Sequence, residues 1–286
     1  MVAETILLMI VFIALLIGSY TDFKVREVPD WLNYGLIFVG FGLRLIFSIT
    51  YQDADYIIHG LLGFGAFFII ALVMFYAGQW GGGDSKMVMG LGALLGLELS
   101  IDSFMIGFII NIVVFGALFG LLFSVYLAVA NLKAFAKEFN RRFSEKKKEK
   151  WLVWIGTVLL LVVSAFLPYY VRVPVVVLAG IVLMSFYVFT YLKAVEGSSM
   201  IKWVEPEKLT EGDWVVEDVV VGKKRICGPK DLGLEMSQIR KLIRLKKQGK
   251  VKRVLIKYGI PFVPSFLIAF VVTYLWGNIV FVLLRI

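Results

Sequence analysis

Residues 81–100 read GGGDSKMVMGLGALLGLELS, and how this stretch is taken decides the fold. Its apolar part, about 85 to 99, amounts to some fifteen residues. As helix that is roughly 22 Å at ~1.5 Å per residue, short for a hydrocarbon core that takes about 20 residues to cross. Read as a span, it reverses the side on which every later loop emerges. Read as a re-entrant hairpin, it does not. On either side lie seven longer apolar segments, at approximately 2–20, 31–49, 57–77, 103–130, 151–167, 173–192 and 259–284. All are expected to be helices, because a lone lipid-exposed strand leaves its backbone groups unpaired.

Charge decides between the two readings, since cytoplasmic loops collect Lys and Arg. With eight spans, 27 of the 30 basic residues share one side: Lys24 and Arg26, Lys86, eight from Lys133 to Lys150, and sixteen from Lys193 to Lys257. Only Arg44, Arg172 and Arg285 face the other way. A hairpin at 85–99 splits this set, so eight spans with both termini outside are expected. The first segment lacks a basic n-region and a small-residue cleavage site, so it is expected to stay in the mature protein.

Composition agrees. The 286 residues are 60% hydrophobic and 18% charged, with a mean hydropathy of +0.86, which argues against a soluble or disordered chain. Cys227 is the only cysteine, so no intrachain disulfide framework exists. The net charge of +9 is then a matter of sidedness across a bilayer before it is one of nucleic acid, for which no partner role is expected. No repeat of 20 to 50 residues recurs.

The expected fold is an all-α polytopic membrane protein of about eight transmembrane helices, with at least a six-helix core and a small α+β cytoplasmic insert. Its parts are 1–130, transmembrane helices carrying the candidate site; 131–150, a basic linker; 151–192, further spans; 193–258, the insert; and 259–286, the final span. In the linker, Phe135, Phe139 and Phe143 recur every four residues among Arg141, Arg142 and Lys146 to Lys150. This reads as an amphipathic helix on an anionic inner leaflet or as a solvated topogenic loop. In the insert, Glu211-Gly212-Asp213 turns into an apolar run from Trp214 to Val221, Gly222-Lys223-Lys224 offers a hairpin turn, and Ser237 can cap a helix ending at Gly249.

Ionisable groups at membrane depth are costly, and those that persist are functional candidates. Asp22 ends the first span and Asp84 begins the fourth. The charge-derived topology brings both to one face, although the span assignment did not use them. An aspartyl dyad needs this: one carboxylate to activate water, and one carboxylic acid to polarise the scissile carbonyl and protonate the leaving amine. Two carboxyls sharing a site hold one proton between them. Gly81, Gly82 and Gly83, without Cβ atoms, suit positive φ and the close approach of a substrate strand. An Asp in a first helical turn is also favoured by the macrodipole. The bland readings are a helix cap for a lone Asp and a helix break for a glycine run; both aspartates on one face together with the glycines favour chemistry.

Other residues carry less. His59, the single histidine, lies near the outer end of the third span with no orienting partner nearby in sequence. Glu98 and Asp102 read as turn residues, and Asp53 and Asp55 as outer-loop charges. Cys227 has no His/Cys cluster around it, so no metal is expected. There is neither a Walker A motif nor a dinucleotide fingerprint, so no nucleotide cofactor is expected.

Gly81-Gly82-Gly83-Asp84-Ser85-Lys86 resembles GxGDxK of the GxGD-type membrane aspartic peptidases, specifically the archaeal preflagellin and prepilin peptidases related to bacterial type IV prepilin peptidases. Asp22 followed by Arg26-Glu27-Val28-Pro29-Asp30, and the segment from Gly259 to Ile268, are similar to the same family. The resemblance implies catalysis by Asp22 and Asp84, a site shaped by Gly81, Gly82, Gly83 and Lys86, and removal of a short basic leader from preflagellins or prepilin-like proteins at the cytoplasmic face. Glu27 and Asp30 are candidates for binding that leader. The tetracysteine zinc segment of bacterial members is absent, so coupled N-methylation is not expected. Asp30 stands where bacterial relatives commonly have Asn. A presenilin-like protease would be expected to carry a Pro-Ala-Leu segment, which is absent. A proton-coupled transporter would put its acids near the midplane within inverted repeats. A basic scaffold for lipid or nucleic acid leaves the paired aspartates unexplained.

Overall fold

The computed structural model describes residues 2–284, so Arg285 lies outside the described residues. Helices α1 (Val2–Val25), α2 (Asp30–Tyr51), α3 (Asp55–Tyr76), α4 (Gly82–Leu95) and α5 (Phe104–Ala130) form the first part of the chain. Helices α6 (Leu132–Glu145), α7 (Lys147–Ala165) and α8 (Tyr169–Val195) follow. The insert then holds β1 (Ile201–Val204), β2 (Trp214–Val215), β3 (Val219–Val221), β4 (Lys224–Cys227), α9 (Met236–Lys247) and β5 (Val254–Lys257), and the chain closes with α10 (Val263–Trp276) and α11 (Ile279–Leu284). The protein is an all-α polytopic membrane protein with a small β-containing insert. α1, α2, α3, α5 and the α8 region are long and apolar enough to cross a bilayer, while α4 and α10 have 14 residues each.

Within the decisive stretch residues 82–95 form one continuous helix, α4, and 96–100 are non-helical; α4 packs between α2 and α3. Its glycines make this possible. Gly92 lies against the backbone of Gly63 in α3, and a Cβ on Gly90 would come within 2.6 Å of the Leu36 Cβ in α2. Small residues let helix backbones approach where hydrophobicity gives no driving force. The short helix also needs its far end satisfied, because carbonyls after the last turn have no intrahelical partner. Arg44 of α2 does this, donating from Nε to the Ala93 carbonyl at 2.8 Å, from Nη2 to that of Leu94 at 2.7 Å, and from Nη1 to that of Tyr56 at 2.8 Å. An Arg44→Met variant is expected to lose about 3 kcal/mol, since hydrogen bonds to a charged group are removed and buried carbonyls are left bare. Thermal unfolding in detergent checks this, with Arg44→Lys recovering part of the loss.

Several expectations are corrected. The final span is not one helix: residues 259–262 are non-helical, and the chain breaks again at Gly277 (φ +72). Asn111 of α5 holds that second break, donating to the Gly277 carbonyl at 2.8 Å and accepting from the Ile279 N–H at 3.1 Å. The phenylalanines of α6 do not simply face a leaflet. Phe135 and Phe143 pack on Tyr191, Phe186 and Tyr187 of α8, and Phe139 stacks between them. The run from Trp214 to Val221 is not one strand. It bends at 216–218, so that β2 joins an antiparallel sheet of order β1-β5-β2 while β3 forms a separate hairpin with β4.

The α9 cap is Glu235 rather than Ser237: the Glu235 N–H donates to Gln238 Oε1 at 2.9 Å, and Ser237 only bonds the Glu235 carboxylate. The insert has its own core of Val204, Val215, Cys227, Leu234, Leu242, Val254 and Ile256. Burial there pushes the Cys227 thiol up to about 11, so it stays protonated and unreactive. The chain enters the insert through β1 and leaves through β5. These strands pair antiparallel, Ile201 opposite Lys257, which ties the insert to α8 and α10 at the end of the bundle where α1 finishes and α4 begins.

Candidate active site

Asp22 lies in the last turn of α1 and is 4% exposed. The helix stops just beyond it, at Arg26, which takes a left-handed backbone (φ +61) and donates its N–H to the Asp22 carbonyl. The Asp22 carboxylate does not face solvent. Its Oδ2 accepts the N–H of Val263 at 3.0 Å. Val263 is the first residue of α10, where an N–H has no acceptor within the helix, so each group supplies what the other lacks. Arg26 holds the approach to α10 as well: Nη1 donates to the Gly259 carbonyl at 3.2 Å, and the guanidinium rests over the Phe123 ring.

Asp84 is the third residue of α4 and reaches back, Oδ2 accepting the Gly81 N–H at 3.1 Å. The carboxyl thus performs the capping role that a structural reading assigns to it. One backbone bond still leaves a carboxyl with spare acceptor positions. Trp80, just before the glycine run, is buried at 3% exposure and packs edge-on against Phe266 and at a tilt against Phe262, at the start of α10. The elements bearing the two aspartates therefore meet at one place. Gly83 lies so near the loop after α1 that a Cβ on it would stand 3.2 Å from the Val28 nitrogen. Asp22, 62 residues from Asp84 in sequence, lies near enough for its charge to act on the Asp84 carboxyl. Several buried polar atoms next to them in sequence have no protein partner, namely Ser19 Oγ, Ser85 Oγ and Trp80 Nε1. Unpaired buried polar groups are uncommon in native structures.

The glycines act differently from expectation. None of Gly81, Gly82 and Gly83 has positive φ; the residue that does is Gly78, at +66°. What Gly83 permits is the contact with Val28. Lys86 does not turn to the aspartates: it pairs with Asp30 Oδ1 at 2.7 Å and lies over the Tyr34 ring. Asp30 is therefore occupied by a cation of the protein itself. Glu27 stands among like charges. Its carboxyl is pushed above the usual glutamate range by desolvation and then by Asp30, Asp213 and Glu211, with Lys86 opposing. Because the residue is exposed, water screens much of this.

His59 lies by the other end of α4, where its backbone carbonyl accepts the Leu97 N–H. Among the described residues, no group of three or more His, Cys, Asp or Glu side chains gathers in a way that could hold a metal ion. Sequence reasoning missed Trp80, Val263 as the partner of Asp22, and the arrival of the insert beside Glu27. An aromatic residue directly before the glycine run was a usable signal for the first. The other two depend on contacts across more than 180 residues.

Comparison with known proteins gives a family match over this region. The model of the type IV leader peptidase family matches residues 9–125. A preflagellin peptidase of Methanococcus maripaludis is 40% identical over 83 residues, which is 29% of this chain and 36% of that protein. A preflagellin peptidase of Methanocaldococcus jannaschii is 39% identical over 83 residues, 29% of this chain and 35% of that protein. The chain spans about a third of the length of the curated relatives it matches. No solved structure matches it. Residues 9–125, the part of the chain that carries Asp22, the glycine run and Asp84, are thus similar to the type IV leader peptidase family.

Proposed function

We propose that this chain is a membrane aspartic endopeptidase that removes a short leader from preflagellin or prepilin-like proteins, with Asp22 and Asp84 carrying the hydrolysis. The observation that supports it most is the meeting of two distant carboxyls at one end of the bundle, held by the start of α10 on one side and by the Gly83–Val28 contact on the other. In this reading a water lies between the carboxyls. One accepts its proton as it attacks the scissile carbonyl and passes that proton to the amine as the C–N bond breaks, and the other, protonated, donates to the carbonyl oxygen and takes the proton back as the tetrahedral intermediate collapses. No covalent intermediate is needed. The cheapest test is to incubate purified protein with a peptide bearing a basic leader and an apolar helix, and to read cleavage by mass. An intact peptide under conditions where the protein is folded overturns the reading.

The one-sided basic residues support a cytoplasmic site in contact with anionic inner-leaflet lipid. A cysteine at position 140, in α6, is then expected to be labelled only from inside intact cells; labelling from outside reverses the orientation.

Leader binding falls on Glu27 more than on Asp30, because Asp30 already has Lys86. Glu27→Lys is expected to raise KM for a basic leader by about tenfold, one screened attraction lost and one repulsion of similar size gained, about 1.4 kcal/mol together, with kcat little changed. Asp30→Asn is expected to change it less. The sign with pH follows from the direction of the shift. Glu27, raised, gains its proton at a higher pH than a free glutamate, so leader affinity is present above that range and weakens as pH falls through it. A KM that does not respond to pH or to Glu27→Lys removes Glu27 from leader binding.

A further inference from the structure

The insert lies outside the family match, yet it reaches the loop that leads into Asp84. That loop begins where α3 ends. Gly78 bonds back to the Phe75 carbonyl, and Gln79 and Trp80 both bond back to that of Met74, so the chain winds tightly before the glycine run. Gly78 needs its left-handed φ of +66° for this winding. It also needs the space: a Cβ there would stand 3.1 Å from Cη2 and 3.4 Å from Cζ3 of Trp214, so the edge of that indole lies directly on the Gly78 backbone.

Trp214 is presented by a firmly held turn. The Thr210 N–H donates to Asp213 Oδ2 at 2.8 Å, the Gly212 N–H to the Leu234 carbonyl at 2.8 Å, and the Leu234 N–H to the Asp213 carbonyl at 2.9 Å. Behind it, β2 is paired with β5, Trp214 opposite Lys257. A second observation agrees on where this turn sits: Glu211 and Asp213, on either side of Gly212, act electrostatically on Glu27 in the α1–α2 loop. The turn therefore rests on the loop that precedes Asp84 and carries its acidic groups near the loop that follows Asp22.

We infer that Trp214 is a positioning residue: seated on Gly78, it fixes the Gly78–Gly83 loop and so sets where Asp84 meets Asp22. The insert is then a component of the site, contributed by sequence that residues 9–125 do not include. The inference rests on the peptidase reading for its effect on turnover, but not for its effect on the loop.

Two readouts test it on the full-length protein in detergent or vesicles. With the leader peptide, Trp214→Ala is expected to lower kcat about tenfold, since small displacements of a reacting group are costly, while KM stays within about twofold. Trp214→Phe keeps an aromatic edge against Gly78 and is expected to restore most of kcat. Independently, a nitroxide on Gln79→Cys is expected to become more mobile in Trp214→Ala and to return toward wild type in Trp214→Phe. Cys227 is buried and does not compete for the label. Lys223→Ala, on the exposed β3–β4 turn, is expected to change neither readout. If the wild type cleaves nothing, the peptidase reading fails, and the nitroxide still decides whether Trp214 holds the loop. Unchanged nitroxide mobility in a folded Trp214→Ala protein overturns the inference. So does an equal loss of kcat in the Ala and Phe variants, in proportion to lost folded protein.

Discussion

Asp22→Asn and Asp84→Asn are each expected to give a protein that inserts and folds but cleaves leader peptide at least about 10³-fold more slowly, the scale of losing a positioned acid or base. The substitution keeps shape and an acceptor oxygen. Asn at 22 can still take the Val263 N–H, and Asn at 84 can still cap α4 through Gly81. Melting temperatures are therefore expected to stay within a few degrees of wild type, which separates chemistry from folding. The double variant is expected to be no slower than the worse single one, because groups that act as a unit are not additive in their removal. The wild type is expected to show a bell-shaped pH profile whose two limbs belong to the pair. A single variant that cleaves within tenfold of wild type, or a double variant whose loss is the product of the two singles, removes these carboxyls from the chemistry.

The parts of this site were legible in the sequence to different degrees, for physical reasons. Asp22 and Asp84 stood out because an acid at the edge of an apolar segment has a cost that composition reveals. Their placement on one side came from counting reversals of the chain; in the structure the loop after α1 and the start of α4 meet at the Gly83–Val28 contact. The helices were legible because 20 apolar residues leave few alternatives. Their breaks were not: the interruption at Gly277 depends on Asn111, 166 residues away, accepting and donating exactly where the backbone opens.

The same limit explains Lys86, which motif similarity alone groups with Asp84 but which the fold turns to Asp30. It also explains Arg44. Charge counting marked it as an exception on the far side, and only the shortness of α4 gives it a reason, since that helix ends inside the bundle with carbonyls to satisfy. The phenylalanines of α6 show where periodicity stops short. A four-residue repeat identifies an apolar face but not what covers it, and here α8 does.

Gly92→Val is expected to be as damaging to cleavage as loss of an aspartate, though by another route. Gly92 and Gly63 bring α4 and α3 into backbone contact, and a Cβ on Gly92 would also stand 2.8 Å from the Phe67 ring. The neighbour on the Gly63 side is backbone, which cannot rotate away as a side chain could, so the helices must separate. Overpacking of this kind costs about 3 kcal/mol. The consequence reaches the site because α4 is a stiff rod: Gly92 and Asp84 are eight residues apart on it, about 12 Å at ~1.5 Å per residue. A shift at the crossing therefore moves Asp84 relative to Asp22, which remains fixed to α10. Gly65, on α3 only two residues from Gly63, has nothing within 4 Å of where its Cβ would stand, so Gly65→Val is the matched control and is expected to leave melting and cleavage unchanged. Gly92→Ala is expected to fall between them. Melting in detergent together with kcat reads the series. If Gly92→Val behaves like Gly65→Val in both, the α3–α4 crossing is not what holds Asp84 in place.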